Sequence, residues 1–299
     1  MPSPGSEQQR PRQPGQRRNA ARRRPTRRLG DLGRRLHVQA DRVRLRGRGR
    51  RVSGDGRRLR RVCRSPDREG LGLVLGILYD VHGNLAALEA VLAEAGDVDE
   101  WLLGGDYSTF GPWPVETLAR LRELPNATWL RGNGERWLVD PPLDLPAEQS
   151  ELVFAAVASA IAELPAAEID ALVGLPTLVE REDAFYCHGS PLSDVDSFPP
   201  EPGDDDVRLL AGVNERQVVF GHSHLQFRRP GPNDSDLVNP GSVGMPLDGD
   251  TRAAWAVRRD SGELEFRRTS YDVAPAVAKL REYDWGERVA QRLLNGRDP

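Results

Sequence analysis

The sequence predicts an α/β fold in which two β-sheets stack face to face and helices cover their outer surfaces. The first observation is that strands and helices alternate from residue 71 onward, which is typical of a parallel sheet with helices packed on it. The second is that two central helices are followed by a mostly antiparallel set of short strands. The third is that polar clusters follow the predicted strands, where open α/β sheets bind their ligands.

Alternating strands and helices account for the segment from 71 to 133. The continuous apolar run at 71–79 predicts a buried strand, and apolar residues at helical spacing before a glycine predict a helix over 84–96. The next predicted elements are a strand, a helix with proline at its first position and a third strand, at 100–106, 114–124 and 127–133. This order predicts that the three strands lie parallel in one sheet.

The segment from 147 to 176 predicts two helices separated at Pro165, because proline cannot donate the hydrogen bond that a helix interior requires. We attribute the apolar stripe of these helices to packing rather than to a membrane or cofactor surface. Six strands are predicted to follow, at 177–183, 184–190, 216–224, 236–243, 252–260 and 262–272. A charged helix over roughly 273–294 is the last predicted element.

The two ends of the chain differ sharply in charge. Residues 1–70 carry 23 arginines, no lysine and 6 acidic residues, whereas residues 71–299 carry 19 basic and 39 acidic residues. Residues 1–70 also lack apolar periodicity and cannot bury enough surface to offset the entropy of the chain. They are predicted to form a disordered basic tail beside one folded domain at 71–299.

Three interpretations of this tail are open. It is a basic arm for nucleic acid or anionic lipid, an organellar transit peptide, or a spurious N-terminal extension ahead of a natural start near Val74. We favour the third, because arginine almost entirely replaces lysine in this chain, as GC-rich coding produces.

We expect a soluble, cytoplasmic protein. No stretch approaches the ~18 apolar residues needed to span a bilayer, so no membrane partner is expected. The two cysteines, Cys63 and Cys187, do not make a disulfide framework. The oligomeric state is left open.

Five polar clusters occupy the ends of predicted strands and contain four of the five histidines of the chain. They are D-V-H-G-N (80–84), G-G-D (104–106), R-G-N-G-E (131–135), C-H-G-S-P (187–191) and G-H-S-H (221–224). In an extended segment, residues i and i+2 point to one face, so Asp80 and His82 are expected to reach one cation together. His222 and His224 have the same spacing.

The residue types in these clusters are those of a metal site. Asp106 follows two glycines, from where its carboxylate is able to bridge two metals, and Asn133 offers a neutral carbonyl oxygen. Imidazole, carboxylate and amide ligands together suit Mn, Fe, Co, Ni or Zn, and the lack of thiolate argues against a structural zinc site. Each cluster alone is also explained by an ordinary turn or loop; the five in this order indicate a site.

The order D-x-H, G-D, G-N-x-[D/E], H, G-H-x-H resembles the calcineurin-like metallophosphoesterase superfamily. Within it, H-G-S-P, G-H-S-H and N-P-G-S-V-G resemble the small bacterial phosphodiesterase-type branch. The resemblance covers roughly 72–272 and implies a four-layer αββα sandwich with a dinuclear site. It implies a first metal held by Asp80, His82, His224 and a bridging Asp106, and a second held by Asp106, Asn133, His188 and His222. Among these, it implies catalytic roles for Asp106, Asn133 and His222.

The function that the resemblance implies is a metal-dependent phosphoesterase with two divalent cations, Mn favoured, acting on a small phosphorylated substrate. A phosphodiester is favoured over a monoester. The alternatives are a nucleotide or dinucleoside-polyphosphate hydrolase and a non-catalytic metal-binding scaffold of the same fold. A nucleic-acid-binding protein ranks last, because the acidic charge of residues 71–299 would repel a phosphate backbone.

The sequence departs from the family pattern at two positions. Tyr79 stands where serine is usual, and we expect it to point away from Asp80 and to change only the packing. Gly134 stands where many members have a histidine that assists the leaving group. The second departure leaves the source of that proton open.

Several neighbouring residues have two interpretations each. Asn84 is a candidate substrate contact or the cap of the helix that follows it. Arg136 is a candidate phosphate contact or the partner of Glu135 or another acid in a salt bridge. Three aromatic residues either line the substrate cleft or pack within a loop: Tyr107, Phe110 and Trp113. The segment 239–244 is predicted to be a tight turn that supports the site.

Overall fold

A computed structural model describes residues 72–181, 184–214 and 216–299. The predicted basic tail at 1–70 lies outside the described residues, and so does Cys63. In chain order the elements are β1 (Val74–Leu78), α1 (Leu85–Ala95), β2 (Glu100–Leu103), α2 (Pro114–Arg122), β3 (Ala127–Trp129), α3 (Asn133–Trp137), α4 (Ala147–Glu163), α5 (Ala166–Val173), β4 (Leu178–Arg181), β5 (Ala184–Cys187), α6 (Asp206–Leu209), β6 (Gln217–Val219), β7 (Gln226–Pro230), β8 (Asp236–Pro240), β9 (Ala253–Arg259), β10 (Leu264–Thr269), α7 (Ala274–Leu280) and α8 (Gly286–Asn295).

Ten strands of the described ranges form two five-stranded mixed sheets. The first has the order β10-β9-β1-β2-β3, with β1, β2 and β3 parallel and β9 antiparallel to β1. The second has the order β4-β5-β6-β8-β7, with β5, β6 and β8 parallel and the two edge strands antiparallel. In the first sheet, Ile77 of β1 lies opposite Leu102 of β2 and Ala256 of β9. The predicted pair of sheets flanked by helices is confirmed.

Strand alternation divides the core into layers. In β1, Leu75 and Ile77 belong to the apolar layer between the two sheets, and Tyr79 follows them on the same face. Leu78 belongs to the opposite face, where the helices pack. The second sheet contributes Val219 and further residues to the layer between the sheets. Each fully buried aliphatic side chain of this layer stabilises the fold by about 1.5–3 kcal/mol.

Three groups of helices cover the outer faces. Helices α1, α4 and α5 pack on the first sheet, as in the cluster that contains Val91, Leu172 and Trp255. The short helix α6 covers the second sheet with Leu209, which packs with Phe220. Helices α7 and α8 pack against α4 in a separate cluster, formed chiefly by Val153, Val157, Ala276, Val289 and Leu293. This last cluster holds α8 close to the strand ends.

Some element boundaries differ from the prediction. The predicted strands end earlier, because the polar residues that follow them lie in loops. Strand β7 and the short helices α3 and α6 are not predicted, and the last two strands, β9 and β10, belong to the first sheet. The predicted closing helix is two helices, which meet at Gly286. A Cβ on Gly286 would lie 1.8 Å from the carbonyl oxygen of Leu280, so only glycine fits there. No helix within the described ranges has the length and apolar character to cross a membrane.

Candidate metal centre

The predicted ligands follow five parallel strands, β1, β2, β3, β5 and β6; Asn133 is the first residue of α3, and the others lie in loops. Five of them have left-handed backbones: Asp80 (φ 53°), His82 (φ 47°), Asp106 (φ 57°), His222 (φ 65°) and His224 (φ 60°). Strand alternation is therefore the wrong reason for the pairing of Asp80 with His82, since both lie beyond the end of β1. Such conformations cost of order 1–3 kcal/mol per residue and cluster at functional sites.

Asp80 is at the centre of two groups of donor atoms. The first group is Asp80, His82 and His224, and the second is Asp80, Asp106 and His188; within each, the ligand atoms lie within 4.8 Å of one another. The Oδ1 atom of Asp80 is 3.4 Å from His224 Nε2 and 3.8 Å from the Nε2 atoms of His82 and His188. All of these side chains are buried.

Asp106 faces both groups with different oxygens. Its Oδ2 atom is 3.8 Å from His82 Nε2, and its Oδ1 atom is 3.5 Å from His188 Nε2. A carboxylate in this position is able to bind one cation with each oxygen. The geometry agrees with the bridging position that the resemblance implies.

Asn133 and His222 complete the cluster. The Oδ1 atom of Asn133 lies 2.9 Å from His188 Nε2 and 2.8 Å from His222 Nδ1. The amide turned by half a rotation would instead donate hydrogen bonds from its nitrogen to both imidazoles, whereas a cation between them requires the oxygen. The structure thus brings together all seven predicted ligands: Asp80, His82, Asp106, Asn133, His188, His222 and His224.

Backbone carbonyls set the tautomers of three histidines. Nδ1 of His82 lies 2.9 Å from the Thr109 oxygen, Nδ1 of His188 lies 2.9 Å from the Gly104 oxygen, and Nδ1 of His224 lies 2.7 Å from the Met245 oxygen. A carbonyl oxygen only accepts hydrogen bonds, so each Nδ1 carries the proton and donates it. Each Nε2 faces into the cluster, where its lone pair is available to a metal. This is the arrangement in which imidazoles bind metals.

The inward-facing atoms are complementary to cations. His82 Nε2 and His224 Nε2 are 3.0 Å apart, so two lone pairs face each other unless a proton or a metal lies between them. Asp80 Oδ1 is buried and accepts no hydrogen bond within the described part of the chain. Buried polar atoms are costly when unpaired, and the donor set of imidazole, carboxylate and amide suits divalent metals. The residues therefore fit the implied cofactor.

The electrostatics of the site favour metal-binding protonation states for most ligands. Burial, together with the neighbouring His224, lowers the pKa of His82 to about 3. Burial and nearby His188 lower the pKa of His222 to about 3. Burial alone would raise the pKa of Asp80, but the nearby His224 lowers it well below its usual range. These two imidazoles are neutral and this carboxylate is ionised at neutral pH.

Asp106 and His188 are the exceptions. Burial raises the pKa of Asp106 to about 7 against the attraction of His188, with Glu135 and Asp80 adding to the rise. Burial would lower the pKa of His188, but the carboxylates of Asp106 and Asp80 raise it. A cation that binds between these groups must displace their protons.

Glu135 is a functional residue that the sequence reasoning missed. Its side chain is fully buried, and Oε2 accepts hydrogen bonds from the backbone N–H groups of Asp106 and Gly132, both at 2.8 Å. Oε1 accepts one from Tyr107, also at 2.8 Å. The acid therefore joins the loop that carries Asp106 to the start of α3, which carries Asn133. The motif G-N-x-E contained the signal, but only the fold identifies the donors.

Gly134 has no room for a side chain. Its N–H donates to Asp106 Oδ1 at 2.7 Å, and a Cβ would lie 2.8 Å from that oxygen and 2.6 Å from Thr109 Oγ1. A histidine at this position would displace the Asp106 carboxylate. Glycine here is thus a packing requirement of this chain.

The two candidate substrate contacts are engaged within the protein. Asn84 Oδ1 accepts from the Ala87 N–H as the cap of α1, and its Nδ2 donates to the Gly244 oxygen and to Tyr271 Oη. Arg136 forms a bidentate pair with Asp194, Nε to Oδ2 at 2.7 Å and Nη2 to Oδ1 at 2.9 Å. A substrate contact by either residue stays a prediction.

The departure at Tyr79 is explained by packing. Its ring fills the space beside Gly104 and Gly221, where a Cβ would approach ring carbons to 2.1 and 2.5 Å. Its hydroxyl donates to the Val219 oxygen at 3.0 Å, which joins the first sheet to the second. The tyrosine and the two glycines therefore depend on one another.

The segment 239–244 lies against the site, but it is not the predicted tight turn throughout: Asn239 and Pro240 end β8, and the other residues form the loop that follows. Asn239 Nδ2 donates to the Gly221 oxygen at 2.9 Å, and Ser242 Oγ donates to the Asp80 oxygen at 2.7 Å. A Cβ on Gly244 would lie 1.9 Å from the Val81 oxygen. These contacts hold the backbone of Asp80 against the loop that carries the last two histidines.

A cleft of about 320 Å³ leads to the cluster. His82, Asp106, Asn133, His222 and His224 form its floor. Of the three loop aromatics, Phe110 lines this cleft and contacts the His82 ring edge to face, with ring centroids 5.7 Å apart. Tyr107 packs instead: its hydroxyl lies within hydrogen-bond distance of the carbonyl oxygens of Leu103 and Leu130, to either of which it is able to donate its proton. Trp113 lies in the cluster under α7 and α8.

Comparisons with known proteins identify the family of the chain. The model of the family described as "Calcineurin-like phosphoesterase superfamily domain" matches residues 73–261. The uncharacterized protein MJ0912 of Methanocaldococcus jannaschii is 25% identical over 248 residues, which cover 75% of this chain and 98% of that protein.

Two solved structures share the fold. A metallophosphoesterase from Sphaerobacter thermophilus is 27% identical, with a TM-score of 0.65 over 75% of this chain and 99% of that one. The hypothetical protein PH1004 from Pyrococcus horikoshii OT3 is 19% identical, with a TM-score of 0.65 over 76% of this chain and 100% of that one. On its sequence match, its two-sheet sandwich and its donor cluster, the chain belongs to the calcineurin-like phosphoesterase superfamily.

Proposed function

We propose that the protein hydrolyses phosphate esters at a centre of two divalent cations, with Mn²⁺ favoured and phosphodiesters the preferred class. The observation that supports this most is the pair of Nε2 atoms of His82 and His224, 3.0 Å apart with both Nδ1 atoms protonated. A scaffold without metal would gain nothing from opposing these lone pairs in a buried site. Every ligand type is present, which argues against the non-catalytic alternative.

The ligands divide into two sets. The first site takes Asp80, His82 and His224, and the second takes Asn133, His188 and His222, with Asp106 between the two. Cations bound there supply Lewis acidity toward a phosphoryl oxygen and make water acidic enough to deprotonate near neutral pH. The residues of the chain hold this geometry and keep the imidazoles neutral.

Residues beside the metal ligands determine which part of the ester the cleft receives and which leaving groups are favoured. Phe110 and the other apolar residues of the cleft exclude bulk water and receive the organic part of the ester. Gly134 offers no side chain to protonate the departing oxygen. The favoured substrates are therefore esters whose leaving group departs as an anion.

The decisive experiment is substitution of the bridging residue. Asp106→Asn should reduce hydrolysis of bis(4-nitrophenyl) phosphate by Mn²⁺-loaded protein at least about a hundredfold and lower the bound metal, without unfolding the protein. Exposed Asp284 provides the matched control Asp284→Asn, which should behave as wild type. Full activity of Asp106→Asn, or wild-type activity that survives a chelator, would overturn the proposal.

A further inference from the structure

Two arginines of the last helix line the same cleft as the metal ligands. Arg288 and Arg292 are one turn apart on α8, so their side chains project from one face of the helix. On another face of the same helix, Val289, Ala290 and Leu293 are buried against the neighbouring helices. The helix is thus held firmly, and the two guanidinium groups have a set position at the cleft.

The positive charge at this face is only half balanced. Arg292 Nε donates to Asp298 Oδ1 at 2.7 Å, and Arg288 Nη2 lies 3.8 Å from the same oxygen. Within the described residues, one carboxylate therefore serves two guanidinium groups, which stay charged at any ordinary pH. By contrast, Arg136 has Asp194 to itself in a bidentate pair.

Donors near the arginines also lack acceptors. The Nε atom of Arg288 is buried and has no hydrogen-bond partner within the described chain. The same holds for the indole Nε1 of Trp137, which lines the cleft and is 8% exposed. Two buried donors without a partner at one cleft are available to a ligand that accepts hydrogen bonds.

The rest of the cleft is apolar. Phe110, Trp137 and several aliphatic side chains line it together with the arginines and the metal ligands; the aliphatic ones include Leu145, Leu152, Val153, Met245 and Leu247. Such a lining suits an apolar or aromatic body between two charged ends. The arginines lie beyond residue 261, where the match to the family model ends, so they are no part of the domain that defines the family.

We propose that Arg288 and Arg292 bind a second phosphate of the substrate, remote from the phosphate that is hydrolysed. The substrate class is then a bisphosphorylated organic molecule whose apolar or aromatic body lies along the cleft. This inference rests on the proposed function, because it assigns the scissile phosphate to the metal centre. Asp298 acts as the counter-ion that the second phosphate displaces.

A purely structural role would be to anchor Asp298 to the helix. That role accounts for the 2.7 Å bond from Arg292, but it leaves Arg288 Nε without an acceptor and places a surplus positive charge beside an apolar cleft. The two roles differ in what Asp298→Asn does. If the arginines only anchor Asp298, the variant removes the group that they hold. If they bind phosphate, the variant removes the carboxylate that competes with it.

The test uses two chromogenic diesters that differ only in the remote phosphate. These are thymidine 5′-(4-nitrophenyl phosphate) and the same ester carrying a 3′-phosphate. Water attacks the 5′-phosphorus, the bond to the aryl oxygen breaks, and 4-nitrophenolate leaves with the electron pair. Full-length Mn²⁺-loaded protein should show a kcat/KM at least about tenfold higher for the 3′-phosphorylated ester.

The variants assign that preference to residues. Arg288→Gln and Arg292→Gln should each lower the ratio of kcat/KM for the two esters about tenfold, since a hydrogen bond to a charged group is worth about that factor. The change should come from a lower kcat/KM for the 3′-phosphorylated ester. Arg297→Gln, an exposed control one residue beyond Gly296, should keep the ratio. Asp298→Asn should keep or raise it. Equal kcat/KM for the two esters in wild type, or a reduced preference in Asp298→Asn, would overturn the inference.

Failure of this inference is distinguishable from failure of the proposed function. Hydrolysis of bis(4-nitrophenyl) phosphate reports the metal centre without any remote phosphate. If wild type hydrolyses that ester with Mn²⁺ but shows no preference between the thymidine esters, only the arginine site is wrong. If it hydrolyses none of the three, the phosphoesterase itself is wrong. A binding measurement adds a second readout: thymidine 3′,5′-bisphosphate should raise the Tm of the Mn²⁺-loaded wild type more than thymidine 5′-monophosphate does, and Arg288→Gln should remove the difference.

Discussion

The carboxylate of Glu135 accepts a hydrogen bond from the backbone N–H of Asp106 at 2.8 Å, so a buried acid of α3 fixes the predicted bridging ligand in the loop after β2. The same carboxylate holds the N–H of Gly132, which precedes the ligand Asn133. Asp106 and Asn133 are thereby placed relative to each other before any cation binds. Preorganised ligands lose less entropy on binding a metal.

We predict that Glu135→Gln weakens metal binding more than it weakens the fold. A glutamine turns an amide NH₂ toward at least one of the three backbone donors, which leaves a buried N–H unpaired at about 1–3 kcal/mol. Loss of such outer contacts typically costs about 10–100-fold in metal affinity. Titration with Mn²⁺ should show that loss, whereas Glu94→Gln, at an exposed position of α1, should bind Mn²⁺ as wild type does. Unchanged affinity in Glu135→Gln would contradict the role assigned to Glu135.

Metal binding should strengthen as the pH rises toward neutrality. The pKa of Asp106 is raised to about 7 in the metal-free fold, chiefly by burial, so this group is protonated below about pH 7 and must release its proton to bind a cation. The Mn²⁺ affinity should therefore increase between about pH 5 and about pH 7 and change less above it.

The raised pKa of Asp106 also determines how the stability of the metal-free fold changes with pH. A raised carboxyl pKa means that the folded state holds the proton more tightly than the unfolded chain, so this contribution to stability is complete at low pH and is lost as the pH rises through about 7.

Calorimetric titration with Mn²⁺ in buffers of different ionisation enthalpy would count the protons that are released when the metal binds. Binding of Mn²⁺ at about pH 6 without proton release would count against this assignment.

The rate should depend steeply on the leaving group. A positioned general acid contributes about 10²–10⁴-fold, and Gly134 cannot act as one. We expect kcat/KM to fall strongly from activated aryl esters to alkyl esters of the same phosphate. A series of substituted phenyl esters measures the slope, and a flat series would mean that another residue donates the proton. Gly134→His cannot serve as a rescue, because a Cβ at that position lies 2.8 Å from Asp106 Oδ1.

Tyr79→Phe should affect the stability and spare the chemistry. The hydroxyl of Tyr79 donates only to the Val219 oxygen, across the layer between the sheets, so its removal should lower the free energy of unfolding by about 1 kcal/mol. Thermal unfolding measures this change. Mn²⁺ affinity and kcat/KM should equal those of wild type, and a loss of either would show that Tyr79 acts on the metal ligands.

Much of the fold and most of the candidate site could be predicted from the sequence. The apolar run of β1, the helix at 84–96 and the break at Pro165 depend on local spacing, which the chain carries in a few consecutive residues. The ligands could be predicted because metals demand particular side chains, and Asp80, His82 and the other ligands stand directly after apolar strands. Where that reasoning went wrong, as in assigning Asp80 and His82 to strand alternation, the reason was a left-handed backbone that no spacing rule reveals.

Tertiary structure alone decided which distant groups meet. The antiparallel pairing of β9 with β1 joins residues far apart in the chain, and the last helix, α8, which follows these strands, lines the cleft. The hydrogen bonds of Glu135 end on backbone N–H groups, which every residue possesses, so no side-chain pattern marks them. Arg288 and Arg292 look in the sequence like the solvated face of a helix. The packing of Val289 and Leu293 turns that face toward the metal centre, because an amphipathic helix specifies which side is buried but not what its polar side will face.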